Sequence, residues 1–310
     1  MGEKPPVIAF TGMSPGRQLL AALICVLLVF VVVYPLFLLI GRLTGVDVNA
    51  LSDAAAGLVA SPGSIKYLQL AQHISLFILP VLTWSYLSGG GITGFSGLNI
   101  LPRVEHITLV VFISLLLFPV NSYTTLMNAE MELPEWLRGM ETWMLSKEQQ
   151  GESLTALMIV SDTLPVLIFN LLVLAIVPAL GEELFFRGVI QRQLRLILGW
   201  PHLTVFITAV VFSALHFQFY TFLPRFILGL VYGYLFLWSG SVWLPIIAHF
   251  VNNALPVILT YYYGWEKVSN GSLEQVAERP IFPAVSLIAI IMLMIYASKA
   301  LKRQVTSHPA

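Results

Sequence analysis

"MIVSDTLPVLIFNLLVLAIVPALGEELFFRG", residues 158–188, first runs almost wholly aliphatic and aromatic and then turns abruptly charged. From Met158 to Gly181 it is long enough to cross a bilayer, for which about 20 apolar residues suffice. It lacks period-two alternation, so the span reads as a helix and not as a barrel strand. Glu182, Glu183 and Arg187 follow at once. Such charges are costly in apolar surroundings unless they are paired or put to use.

The whole chain repeats the first half of that pattern. Of its 310 residues, 57% are hydrophobic and 10% charged, against about 25% charged in ordinary globular domains. Mean hydropathy is +0.85. Apolar runs at 18–41, 67–88, 106–125, 158–181, 202–219, 223–239, 242–263 and 281–299 predict an all-α, polytopic transmembrane bundle of about eight spans. The first run is too long for a signal-peptide core and is expected to stay as a helix. Acids and bases number 16 each, which excludes a strongly basic nucleic-acid binder. The single cysteine, Cys25, permits neither a disulfide framework nor a cysteine metal site.

Charge orients the spans. The connection 130–152 carries Glu130, Glu132, Glu135, Glu141, Glu148 and Glu152 against Arg138 and Lys147. Lys4, Arg17, Arg187, Arg192, Arg195, Lys299, Lys302 and Arg303 gather at the opposite ends of the spans. Positive residues favour the cytoplasmic side, so a multi-pass protein with both termini cytoplasmic is expected. Residues 134–146, with Trp136, Leu137, Met140, Trp143 and Met144 among charges, suggest an interfacial helix. Three regions follow: 1–155, N-terminal spans with an extracytoplasmic amphipathic loop; 156–265, a helical core; and 266–310, a last span and basic tail. "SGGGITGFSG", residues 88–97, reads as a flexible connection and lacks the lysine of a phosphate loop.

Three polar clusters lie in the helical core. Glu183 and Arg187 are i,i+4 neighbours able to pair, while Glu182 points about 100° away. Phe212 and His216 are four apart on the next span, as are His249 and Asn253 on a later one. Gly199 and Pro201 signal a turn. Glu182 lies 18 positions before Trp200 and His216 lies 16 after it. In an antiparallel hairpin both would sit about 24–27 Å from the turn. Gly229 and Gly233 form a small-xxx-small pattern that permits close helix contact. His73, His106, His202 and His308 have no evident partners at helical spacing and read as interfacial or structural.

A carboxylate, two imidazoles and a carboxamide suit amide hydrolysis. Glu182 can take a proton from water that His216 holds. His249 and Asn253 can stabilise an oxyanion, and Glu183 with Arg187 can brace Glu182. Glu182, His216 and His249 are also acceptable ligands for a divalent metal such as zinc. The chain contains no HExxH, and we favour water activation without an obligatory metal. The same buried set also suits a non-catalytic protein, either a proton-coupled transporter or a peptide-binding scaffold.

The Glu-Glu-x-x-x-Arg, Phe-x-x-x-His and His-x-x-x-Asn motifs, in this order on hydrophobic helices, resemble the CPBP family. These are the CAAX prenyl protease and bacteriocin-processing intramembrane endopeptidases, also known as the Abi family. The likeness covers about residues 160–260. It implies that Glu182 and His216 activate water and that His249 and Asn253 form an oxyanion hole. It also implies membrane lipid and a membrane-associated or lipidated peptide as partners.

Overall fold

The computed structural model describes residues 12–55, 57–89, 91, 97–269 and 279–307, without the side chains of 269 and 302–307. His308 and most of the 88–97 connection lie outside the described residues. Within them the elements are all helices: α1 Pro15–Leu43, α2 Pro62–Leu87, α3 Val104–Ala129, α4 Arg138–Ile159, α5 Leu164–Leu198, α6 Pro201–Ala214, α7 Phe222–Ser239, α8 Trp243–Tyr263 and α9 Ile281–Ser307, with a few short turns of helix between them. Seven are long and apolar enough to cross a membrane, and α6 is a shorter apolar helix.

Local chemistry sets the ends. α1, α2, α5 and α6 each carry proline in their first turn, where no backbone N–H is needed. α5 stops at Gly199, which takes φ +69°, and α7 stops at Gly240 with φ +67°. Both are left-handed caps that glycine adopts without strain.

Two spans differ from the sequence expectation. The fourth was placed at 158–181, yet α5 begins at Leu164 and continues 17 residues past Gly181 to Leu198. Hydropathy falls at Glu182, but the polar groups beyond it are bonded inside the bundle and the helix can continue. The fifth was placed at 202–219, yet α6 ends at Ala214. Its 14 residues extend only about 21 Å. His216 therefore lies in the turn after the helix, where Phe217 has φ 53°, a strained value for an aromatic residue.

α5, α6 and α7 form the central layer. Arg187 Nη2 donates to the Gly229 carbonyl at 3.1 Å, and Gln191 Nε2 donates to the Gly233 carbonyl at 2.9 Å. Equal steps along both chains make α5 and α7 parallel. A Cβ on Gly229 would fall 3.0 Å from Ala209 Cα, and one on Gly233 would fall 2.8 Å from Val205 Cγ1. Rising numbers on α7 meet falling numbers on α6, so that pair is antiparallel. The small-xxx-small pattern thus serves close packing and leaves carbonyls open to side-chain donors.

On the other side of α7, helices α3, α8 and α9 close a second core around Ile113, Leu117, Leu235, Leu244 and Ile290. α1 is peripheral: Leu27 and Val32 face outward, while Ala22 and Cys25 pack against Val81 and Trp84 of α2. Substituting Gly229→Leu should force α6 and α7 apart and cost about 1–3 kcal/mol. Thermal unfolding in detergent should show a clear drop in midpoint; an unchanged midpoint would contradict the close approach.

Candidate active site

Wide helical turns aim the polar side chains. One such turn, Ile74–Ile78, begins directly after His73, and another, Leu184–Gln191, directly after Glu183. A third, Leu172–Ile176, precedes Pro178. Insertions of this kind shift the side-chain register and recur at functional sites.

Glu182 is buried between two histidines. Its Oε1 lies 3.2 Å from His73 Nε2, and its Oε2 lies 4.0 Å from His216 Nε2. Oε2 has no hydrogen-bond partner among the described protein atoms. His216 Nδ1 sits 2.8 Å from the Phe212 carbonyl. A carbonyl can only accept, so Nδ1 carries a proton, and in the neutral ring Nε2 presents its lone pair towards Glu182. The Phe212 ring meets the His216 ring near edge-on at 5.1 Å and so fixes it from the side.

Glu183 faces away from this pair. Its Oε1 accepts from Arg187 Nη1 at 2.6 Å and from His249 Nδ1 at 3.0 Å. Glu183 and Arg187 are fully buried. The guanidinium also lies over the Phe212 and Tyr232 rings, at 5.0 and 5.4 Å, a favourable arrangement for a desolvated cation. His249 stacks on Tyr232 at 5.3 Å. The expected i,i+4 pair is therefore present, but its carboxylate holds His249. The residue bonded to Glu182 is His73.

Asn253 is held by a missing backbone bond. Pro178 has no N–H to give the Leu174 carbonyl one turn back, and Asn253 Nδ2 donates to that carbonyl at 3.3 Å. Asn252 Nδ2 donates to Asn253 Oδ1 at 3.3 Å. One Asn253 N–H then remains for the interior.

These groups share a cavity of about 440 Å³ lined by Glu182, His216, His249, Asn253, Phe212 and His73, with a volume in the range of small-ligand sites. Glu183 and Arg187 lie behind its wall. The sequence reading missed His73, and the signal was its neighbour Gln69 one turn earlier. The Gln69 carbonyl lies 3.1 Å from His73 Nδ1, and the Gln69 amide nitrogen 3.3 Å. The other described histidines stand apart: His106 lies 3.6 Å from Glu105 and His202 lies 3.1 Å from the Tyr234 hydroxyl. Among the described residues no three His, Cys, Asp or Glu side chains gather as a metal-holding group.

Residues 164–255 match a family model described as type II CAAX prenyl endopeptidase Rce1-like. The segment is similar to that family over 92 of the 310 residues. It holds Glu182, His216, His249 and Asn253, while His73 and Gln69 come from α2 and Thr155 from α4. A Bacillus subtilis (strain 168) protein named "Uncharacterized protein YpbD" is 29% identical over 90 residues, covering 28% of this chain and 43% of that protein. The chain thus spans less than half the length of that curated relative. No solved structure matches it.

Removing one partner of a buried ion pair typically costs about 3–5 kcal/mol. Arg187→Met in the Rce1-like segment should therefore lower the unfolding midpoint sharply. Arg138→Ala, which breaks an exposed pair with Glu135 at 3.3 Å, should leave it unchanged. Equal effects from the two variants would refute the structural weight given to Arg187.

Proposed function

We propose that the protein is an intramembrane endopeptidase in which Glu182 activates water without an obligatory metal. The observation that carries this reading is the 4.0 Å gap between Glu182 Oε2 and His216 Nε2, inside the cavity. One water oxygen spans that gap, donating a proton to each acceptor. His73, bonded to Oε1, keeps Oε2 turned to the water.

As the water oxygen attacks the peptide carbonyl carbon, its proton passes to Glu182. The carbonyl oxygen becomes an oxyanion, met by the free Asn253 N–H and by His249. The Nδ1 proton of His249 is already given to Glu183, so Nε2 donates only in the imidazolium form, with Glu183 as its counter-charge. Glu182 then hands its proton to the amide nitrogen. The C–N bond breaks, leaving a carboxylic acid and an amine.

The Rce1-like match and the depth of the site in an apolar bundle support a membrane-associated or lipidated peptide as substrate. An apolar recess of about 270 Å³ between α5 and α8, lined by Ile176, Leu180, Trp243, Ile246 and Phe250, supports the same reading. Counting the short antiparallel α6 with the seven long spans would give the even number that both termini on the cytoplasmic side require.

Glu182→Gln should lower kcat by about 10²–10⁴-fold, the range of a lost general base. Asn253→Ala should lower it by about 10²–10³-fold. Quenched peptides and purified protein in detergent would measure both, and wild-type turnover in Glu182→Gln would overturn the mechanism. Turnover should also survive exhaustive chelation. Loss on chelation, with recovery on adding zinc, would instead make Glu182, His216 and His249 metal ligands.

A further inference from the structure

One charged group lining the cavity has no part in the water-activation scheme. Arg225 stands in the first turn of α7 and faces the same space as Glu182, His216 and Asn253. Its Nη1 donates to Thr221 Oγ1 at 2.5 Å, and its Nη2 donates to Gln218 Oε1. Both acceptors are neutral. Among the described residues no carboxylate lies within ion-pair distance of Arg225. The nearest acidic link is indirect, since the Thr221 hydroxyl donates to Glu148 Oε1 at 3.0 Å.

Arg187 makes the contrast. It is closed off from the cavity, ion-paired at 2.6 Å and enclosed by aromatic rings, so it serves the frame. Arg225 has five N–H donors, and two are engaged by side chains from the connection just before its helix. A cation in the first turn of a helix also opposes the helix dipole. A guanidinium that faces a reaction cavity with no carboxylate bonded to it is matched by a planar anion, which it can grip through two parallel bonds.

We propose that Arg225 is a carboxylate-binding subsite: it takes a carboxylate of the bound peptide while Glu182 works at the scissile bond. This rests on the endopeptidase reading. The carboxylate is either the chain-terminal one, a short distance beyond the cut, or an acidic side chain at that place. Met158, Ile159, Leu174, Leu228 and Val257 line the same cavity and suit aliphatic neighbours of that group.

Three matched quenched peptides test the proposal: one with a free carboxyl terminus, its amide, and an amide bearing glutamate at the terminal position. Wild-type protein should favour the acid over the plain amide by about 10–100-fold in kcat/KM, as befits a charge-assisted hydrogen bond. Rescue by the glutamate amide would assign the side-chain source, and no rescue the chain end. In Arg225→Gln the acid-to-amide ratio should fall to near one, and Arg225→Lys should restore part of it. An unchanged ratio in Arg225→Gln, or equal losses for acid and amide, would overturn the subsite.

Binding separates this from the peptidase reading. A fluorescein-labelled aliphatic tripeptide acid should bind Glu182→Gln protein more tightly than its amide, and Arg225→Gln in the same background should remove the difference. If no peptide is cut but this carboxylate preference persists, the endopeptidase reading falls and the subsite stands.

Discussion

An ion pair sealed in an apolar bundle constrains everything around it. Glu183 and Arg187 are both fully buried, and neither charge is stable there without the other. Arg187 needs a carboxylate, a carbonyl and ring faces; these come from Glu183, Gly229, Phe212 and Tyr232. Gly229 must lack a side chain for α7 to pack against Ala209 of α6 while it offers its carbonyl to Arg187. Glu183 in turn fixes His249. The ion pair therefore sets the distance between three helices and the pose of one reactive ring.

A division of labour between neighbouring glutamates follows. The two side chains diverge on the helix, so one can be locked into the frame while the other looks into the cavity. Glu183 is spent on its bonds to Arg187 and His249. Each carboxylate keeps one oxygen without a protein hydrogen bond, but of the two only Glu182 lines the cavity, turned to His216 and steadied by His73 from the far oxygen. Rigidity on one side and an open acceptor on the other give the site both position and reactivity.

Much of this was legible in the sequence because helical periodicity carries it. Glu183 with Arg187, Phe212 with His216, and His249 with Asn253 are each four apart, and the turn at Gly199 brings Glu182 and His216 to one depth. What escaped came from elements far apart in the chain or from backbone detail. His73 is separated from Glu182 by 109 positions, and Gln69 one turn earlier marks His73 itself but not the carboxylate it meets. The hairpin reading needs α5 to reach the Gly199 turn, but the span read from hydropathy stops at 181 because Arg187 and Gln191 count as breaks, whereas α7 supplies their acceptors. The early end of α6 was hidden because its apolar run continues through the turn at Leu215–Phe217.

Pro178 has a consequence beyond its own helix. By withholding one backbone proton it leaves the Leu174 oxygen free to anchor Asn253, so an irregularity in one rod becomes the latch for a group on another. Restoring an ordinary amino acid there would mend the local ladder and unhook the carboxamide. A more regular helix would then hold the Asn253 side chain less firmly.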